Sequence, residues 1–483
     1  MKKTWLFVLA VAVFVCLPLT AQAKTEFELG GYIRMDGIWN SKQGIGHTLA
    51  AYVARDNVLN ANHGRFQMNA NASRFNFTIK GPELWGGKVT GFIEVDFDGG
   101  DTINIARAAG GAQNSWVAVN DSSFGQAKLR LRHAMFKIAW SDREVIFGQF
   151  WSINSEMIPD TADSGAFCNY GSTQLRLPQV RYTHKFDPFS ISVAIEAPQN
   201  GRWGLNVDAT NPIEGELSEV PMFEVKGRYE EDLYGKAAWA GRPRGFYVGV
   251  GGGWFRSRNN PVNFAAANWR TWGQNNFQQT NYALNVAAPR YQDHWLVLIE
   301  NFTPILTTTT KSLAGTLGLA HQWWIGQGVS AWRLDLPGSD RYYTFSGFNA
   351  ATNDVNYQLS FVRRYGGYAQ LQYYWTNEIY TNLNFGFEKA WGITQARDRF
   401  LATALAGNPA GYVYGNPVGY DPISSVYRAS VTQWYRPIPA VKFALQYAYM
   451  RTNYFQITTP VGTQVSSRKG DNHSLMANAW YMF

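Results

Sequence analysis

A two-residue period runs through most of the chain, and that period limits what it can fold into. Phe27, Leu29, Gly31, Ile33 and Met35 alternate with Glu28, Gly30, Tyr32, Arg34 and Asp36. Ile93, Val95 and Phe97 alternate with Glu94 and Asp96, and Leu129 and Leu131 with Lys128, Arg130 and Arg132. Val180 and Tyr182 alternate with Gln179, Arg181 and Thr183. Ile191, Val193 and Ile195 repeat the pattern, as do Val441, Phe443, Leu445, Tyr447 and Tyr449. Successive strand side chains point to opposite faces, so each segment reads as a strand with one apolar and one polar face. The pattern alone does not say which face is inside. A soluble sandwich buries the apolar face, whereas a membrane barrel turns it to lipid.

Three further features choose the barrel. The first is an export signal: Lys2 and Lys3, then an apolar run from Trp5 to Leu19, then Ala21-Gln22-Ala23 as a cleavage site. Residues 1–23 are therefore expected to be a signal peptide and 24–483 a single barrel domain. The second is an asymmetry of connections. Long polar stretches near 41–71, 99–126, 153–176, 198–220, 258–290, 325–356, 392–424 and 455–471 alternate with short ones. The short ones are Gly81-Pro82-Glu83-Leu84, Ser141-Asp142-Arg143, Phe186-Asp187-Pro188, Arg242-Pro243-Arg244, a longer stretch near Thr303–Thr310, Asn377-Glu378 and Arg436-Pro437-Ile438-Pro439. Eight long loops and seven short turns imply sixteen strands, with both chain ends on the short-turn side. For that count, segments such as Tyr357–Arg364 must extend as strand above the membrane. The third is the ending, where Leu475, Ala477, Ala479, Tyr481 and Phe483 share one face.

The expected fold is thus all-β: a transmembrane antiparallel barrel of about sixteen strands with long extracellular loops. Composition agrees. With 19 Trp, 26 Tyr and 16% aromatic residues, the chain can girdle both membrane interfaces. Its mean hydropathy of −0.27 is too polar for a bundle of membrane helices. Loss of the signal peptide removes Lys2 and Lys3, so the net charge falls from +8 by 2 to +6. Cys168 is then the one cysteine left, and no internal disulfide can form. The basic residues are spread singly along strands, not clustered as nucleic-acid binding requires.

Sixteen strands close around a space too wide for their own side chains, which leaves a water-filled lumen. Charges on the polar face would then set ion preference. The candidates are Arg34, Glu94, Asp96, Arg130, Arg132, Arg181 and Lys185 on strands, with Arg176 at the root of the third long loop. That loop, Ser152–Leu175, carries Glu156, Asp160, Asp163, Phe167 and Tyr170. Folded inward, it would face Arg130, Arg132, Arg176 and Arg181 across the lumen. The same charges could instead hold the wall together as salt bridges.

Ser73-Arg74-Phe75, Gly81-Pro82-Glu83 and Gly91-Phe92-Ile93-Glu94-Val95-Asp96-Phe97 resemble the opening hairpin of DcaP-like porins. Arg132-His133-Ala134, Gly148-Gln149-Phe150-Trp151-Ser152 and Pro178-Gln179-Val180-Arg181-Tyr182-Thr183 continue the resemblance on either side of the third loop. It covers about residues 27–197. It implies a trimeric sixteen-stranded channel with an inward third loop and a preference for small organic anions. Phe27 opens the barrel at once, without the N-terminal coiled coil common in that family. A terminal aromatic such as Phe483 resembles the signal read by the barrel-assembly machinery.

The expected function is a porin for passive diffusion of small hydrophilic solutes, with no cofactor and no metal. Its expected partners are small hydrophilic or anionic solutes, outer-membrane lipid and lipopolysaccharide, and two further copies of the chain. A substrate-specific sugar or aromatic-compound channel of maltoporin type is the alternative, since Trp323-Trp324 and Tyr373-Tyr374-Trp375 could build a greasy track. An enzyme is disfavoured. The seven His (His47, His63, His133, His184, His294, His321 and His473) sit in no nucleophile motif or metal spacing. His473 and Ser474 are neighbours, so a strand points them to opposite faces.

Overall fold

A computed structural model of the chain describes residues 25–42, 44–45, 52–53, 56, 63–98, 104–105, 118–119, 129–163, 171–198, 220–258, 283–287, 291–329, 332, 341–349, 354–391, 423–454 and 469–483. Sixteen antiparallel staves close into one barrel. They are β1 (Glu26–Asn40), β2 (Arg65–Asn69 and Arg74–Leu84), β3 (Gly87–Asp96), β4 (Arg130–Ala139), β5 (Arg143–Trp151), β6 (Arg176–Phe186), β7 (Phe189–Glu196) and β8 (Met222–Glu231). Then come β9 (Phe246–Arg258), β10 (Tyr291–Leu306), β11 (Leu317–Gln327), β12 (Arg363–Tyr374), β13 (Ile379–Trp391), β14 (Ile423–Ile438), β15 (Val441–Tyr454) and β16 (Lys469–Met482). Each stave pairs with the next, and β16 returns to β1 from Tyr32 opposite Met482 to Asn40 opposite Ser474. Phe483 N–H donates to Gly31 O, and Gly31 N–H to Phe483 O, both at 3.2 Å. Closure leaves no sheet edge, which lipid requires because it offers no hydrogen bonds.

The side-chain layout is inverted relative to a soluble protein. Phe27 is 70% exposed, Leu445 58% and Val193 47%, while inward Gln370, Asn382 and Thr432 are fully buried. Asp96 and Phe443 follow the same rule, at 1% and 43%. The apolar faces therefore form the lipid-facing surface. Among the described residues no helix is long and apolar enough to cross a membrane; the chain crosses with strands.

Three local departures from the sequence expectations have physical causes. Residues 65–69 belong to the long stretch near 41–71, yet they pair with the upper half of β1. The break in β2 at 70–73 is filled by Ser73, whose Oγ accepts Arg34 N–H at 3.0 Å. The first short turn lies at Trp85-Gly86, not at Gly81-Pro82-Glu83-Leu84. A bulge between Lys80 and Glu83 absorbs Pro82, which has no N–H for a regular ladder. Trp85 and Gly86 have φ of +52° and +73°, the tight turn that follows the strand twist. Finally, Asp354–Phe361 is a strand but not part of the barrel wall. It lies in a separate three-stranded sheet with Ala283–Ala287 and Arg341–Asn349, and β12 begins at Arg363.

Candidate functional site

The third long loop, here L3, leaves β5 at Ser152 and returns to β6 through Leu175. Its base is tied by Ser152 N–H to Leu175 O at 3.0 Å. Residues 164–170, including Phe167, Cys168 and Tyr170, lie outside the described residues. The rest turns into the lumen. Ile153, Asn154, Ser155, Ala162, Ser172 and Thr173 are all fully buried by the barrel around them.

L3 is anchored by charge and by backbone polar groups. Glu156 accepts from Lys226 Nζ at 3.0 Å and from Arg228 Nε at 2.8 Å. Arg181 Nη1 stands 3.9 Å from the same carboxylate. Burial works against a charged Glu156, but Lys226, Arg228 and Arg181 outweigh it and hold its carboxyl well below the usual range. Lys226 also donates to Ile153 O at 3.0 Å and pairs with Glu300, and both of those side chains are fully buried. Asp160 accepts from Gln372 Nε2 and Asn382 Nδ2, each at 3.2 Å, and from Tyr380 OH at 3.3 Å. Asp163 pairs with Arg428 and accepts from Gln446 Nε2 at 2.9 Å. Arg34 Nη2 donates to Ala162 O at 2.6 Å and its Nε to Asp36 at 2.6 Å. At the returning end, Thr173 N–H donates to Gln322 Oε1 at 2.8 Å.

These bonds correct the sequence expectation about what L3 faces. Of the four arginines named for it, Arg181 stands beside the Glu156 carboxylate, whereas Arg130 pairs with Asp96 and Arg132 with Glu94. The loop acids instead meet β8, β12, β13, β14 and β15. The other wall carries its own network. Arg130 makes a bidentate pair with Asp96 at 2.8 and 2.7 Å and reaches Asp98 at 3.2 Å. Arg132 holds Glu94 and Asp96, both at 2.7 Å. Arg74 lies 3.4 Å from Glu94. Arg176 stacks on Trp151 at 5.1 Å and is within electrostatic range of Arg132, Arg130, Asp96 and Arg74. Its Nη1 is buried without a hydrogen-bond partner among the described residues. Lys185 is exposed at the short-turn end of β6.

A bulge explains the density of charge on β4. Glu94 opposes His133 and Val95 opposes Leu131, so Arg132 is the extra residue. The bulge resets the alternation, and consecutive Arg132 and His133 are both buried on the inside. Sequence reading missed Arg74, His133, Lys226, Arg228, Arg428 and Lys442. A signal existed for four of them. Arg74 sits in the quoted Ser73-Arg74-Phe75, and Lys226 and Arg228 alternate with Phe223 and Val225. Arg428 alternates with Ala429 and Val431 in the same way.

The aromatic candidates divide by face. Trp324 and Tyr374 point inward, Trp324 donating to Gly171 O at 2.5 Å. Tyr374 begins a ring stack with Tyr380 at 4.4 Å, continued to Trp434 at 5.7 Å and Trp480 at 5.5 Å. Lys442 sits 3.6 Å over Trp434. Tyr374, Tyr380 and Trp434 are buried in a cluster with Ala162 of L3 and Ala238.

A closed sixteen-stave cylinder with an apolar exterior and a polar, loop-constricted interior defines an outer-membrane channel. The chain belongs to the Gram-negative porin family, whose model matches residues 8–298. Among solved structures it is similar to the outer membrane channel DcaP of Acinetobacter baumannii. The two share 15% identity over 95% of this chain and 97% of that one, with a TM-score of 0.56. It also matches an anion-selective porin from Comamonas acidovorans at 8% identity, covering 95% and 100%, with a TM-score of 0.49. No curated protein gives a significant match.

Proposed function

We propose that this porin passes small hydrophilic solutes by passive diffusion and favours small organic anions. One observation carries the reading: the carboxylates of L3 are consumed by the far wall, while the near wall is left rich in arginine. Arg74, Arg130, Arg132 and Arg176 face Glu94, Asp96 and Asp98, so among the described residues the cluster carries four positive charges against three negative, 4 − 3 = +1. Arg74 and Arg130 remain 20% and 22% exposed, where a passing solute can meet them, while Lys226 is fully buried. Arg176, which forms no salt bridge among the described residues, raises the local potential for an incoming anion. A sugar track is less well supported, because the inward rings Tyr374, Tyr380 and Trp434 are covered.

The assembled form in this reading is a homotrimer in a lipid and lipopolysaccharide membrane, exported by cleavage after Ala23 and recognised by assembly machinery through Phe483. The exterior of β1, β2 and β4 offers broad aromatic contact area through Phe27, Phe66, Phe77 and Phe136. The test is a reversal potential across a planar bilayer in a potassium chloride gradient. Wild type is expected to prefer chloride, and Arg176→Gln to lower that preference roughly twofold at low salt, where charges are least screened. A cation-selective wild type would overturn the proposal. A monomeric mass for the detergent-extracted protein would overturn the trimer.

A further inference from the structure

The short-turn side of the barrel carries more chain than it needs. A hairpin between neighbouring staves closes in about 2–5 residues, yet β8 and β9 are joined by 232–245. The sequence expectation of a simple turn at Arg242-Pro243-Arg244 is replaced by a small hairpin, Ala237–Trp239 paired with Arg242–Arg244. It turns on Ala240 and Gly241, with φ of +50° and +83°.

This hairpin folds up into the lumen. Ala237 and Ala238 are fully buried. Ala240 N–H donates to Gln372 Oε1 at 3.1 Å, and Trp239 packs on Phe302 at 5.7 Å; both partners are inward side chains. Lys236 and Thr308 exchange backbone hydrogen bonds of 3.1 and 2.8 Å, which ties the hairpin to the β10–β11 connection. Leu313 N–H then donates to Asn377 Oδ1 at 2.8 Å, linking that connection to the next. From below, the hairpin reaches L3. Arg244 Nη1 donates to Met157 Sδ at 3.3 Å, and Met157 shares an apolar cluster with Ala237. Ala162, near the far end of L3, shares another with Ala238.

We infer that the hairpin 237–244 is a second determinant of the channel's bore, a floor under L3. It blocks the lumen beneath the β8–β14 arc and fixes the height at which L3 lies. Solutes are thereby confined to the arc of β2–β6. The inference rests on the diffusion-channel reading but not on its anion preference, so neutral solutes test it.

The experiment replaces 237–244 by Gly-Gly. Single-channel conductance and the largest neutral sugar admitted into proteoliposomes are then measured. Removing the floor widens the water path, so conductance is expected to rise roughly twofold and larger sugars to enter. A second variant, Met157→Ser with Arg244→Gln, cuts the contact between loop and floor without shortening the chain, and should add open-channel noise and brief closures. A folded shortened channel with wild-type conductance and size limit would overturn the inference. If the shortened chain does not fold, the double variant decides, and a trace as quiet as wild type overturns it. A wild type that admits no sugar and carries no current would remove the diffusion-channel reading itself.

Discussion

The two sides of the lumen are built from the same alternating strands, yet they are used differently. From β8 round to β1, inward polar side chains are spent on L3: Lys226, Arg228, Gln372, Asn382, Arg428, Gln446 and Arg34 all bond to it. From β2 to β4, the inward charges bond to one another through Glu94, Asp96 and Asp98. The first wall is a mounting surface, where Lys226 with Glu300 and Arg428 with Asp163 form dry pairs and Glu156 is held by cations at the edge of the water. In the second, Glu94, Asp96 and Arg132 are buried too, while Arg74 and Arg130 keep part of their surface open, and in the proposed reading it is their field that a solute meets. Position in the barrel, not residue type, separates a buried anchoring arginine such as Arg428 from a partly exposed one such as Arg130.

The strongest way to break this contrast is at Lys226. Replacing it by Met leaves the buried Glu300 with its donors Tyr247 and Gln322 but without a cation, which costs about 3–5 kcal/mol. Lys226→Met is expected to lower the unfolding midpoint in guanidinium and to raise channel noise as L3 loosens. Unchanged stability would mean the mounting wall does not hold the loop. Asp163→Asn should come next, at about 1–3 kcal/mol, because it weakens a charge-assisted bond at the far end of L3. Open-channel noise is its readout.

The pH response sharpens the comparison. The cations around Glu156 lower its folded-state pKa to about 2. Its contribution to docking is therefore complete above the unfolded value of about 4.3 and is lost only as pH falls through the folded value. Conductance should hold steady from neutral pH down to about pH 4. A step in conductance near pH 5 that Glu156→Gln abolishes would place Glu156 elsewhere. The smallest effect belongs outside the lumen. Lys80 and Glu28 pair on the barrel rim at 49% and 56% exposure. Lys80→Ala should leave the unfolding midpoint and the conductance unaltered, because solvent screens an exposed pair.

Much of the cylinder was legible from sequence because its code is local. Period two gives the staves, and Asn377-Glu378 and Phe186-Asp187-Pro188 mark turns where the structure has them. Gly81-Pro82 misled because proline signals a turn locally, while a bulge lets the strand run on to Leu84. The partners of L3 were out of reach for another reason. Asp163 meets Arg428 and Gln446 across 265 and 283 residues of chain, and no periodicity encodes which wall a loop will touch. The hairpin 237–244 escaped notice because each of its strands is three residues long, too short for alternation to register. His133 was hidden by the β4 bulge, since one inserted residue reverses every inside–outside assignment that follows it.

The ties from L3 have a mechanical meaning as well. A cylinder whose wall is one strand thick resists squeezing poorly, because it ovalises with little stretching of any single bond. L3 crosses the interior and fastens to β8, β12, β13, β14, β15 and β1, so it acts as a set of spokes. Lateral pressure that flattens the rim must lengthen or compress those links. The loop that narrows the passage thus also keeps its outline round as the surrounding bilayer shifts in thickness and tension.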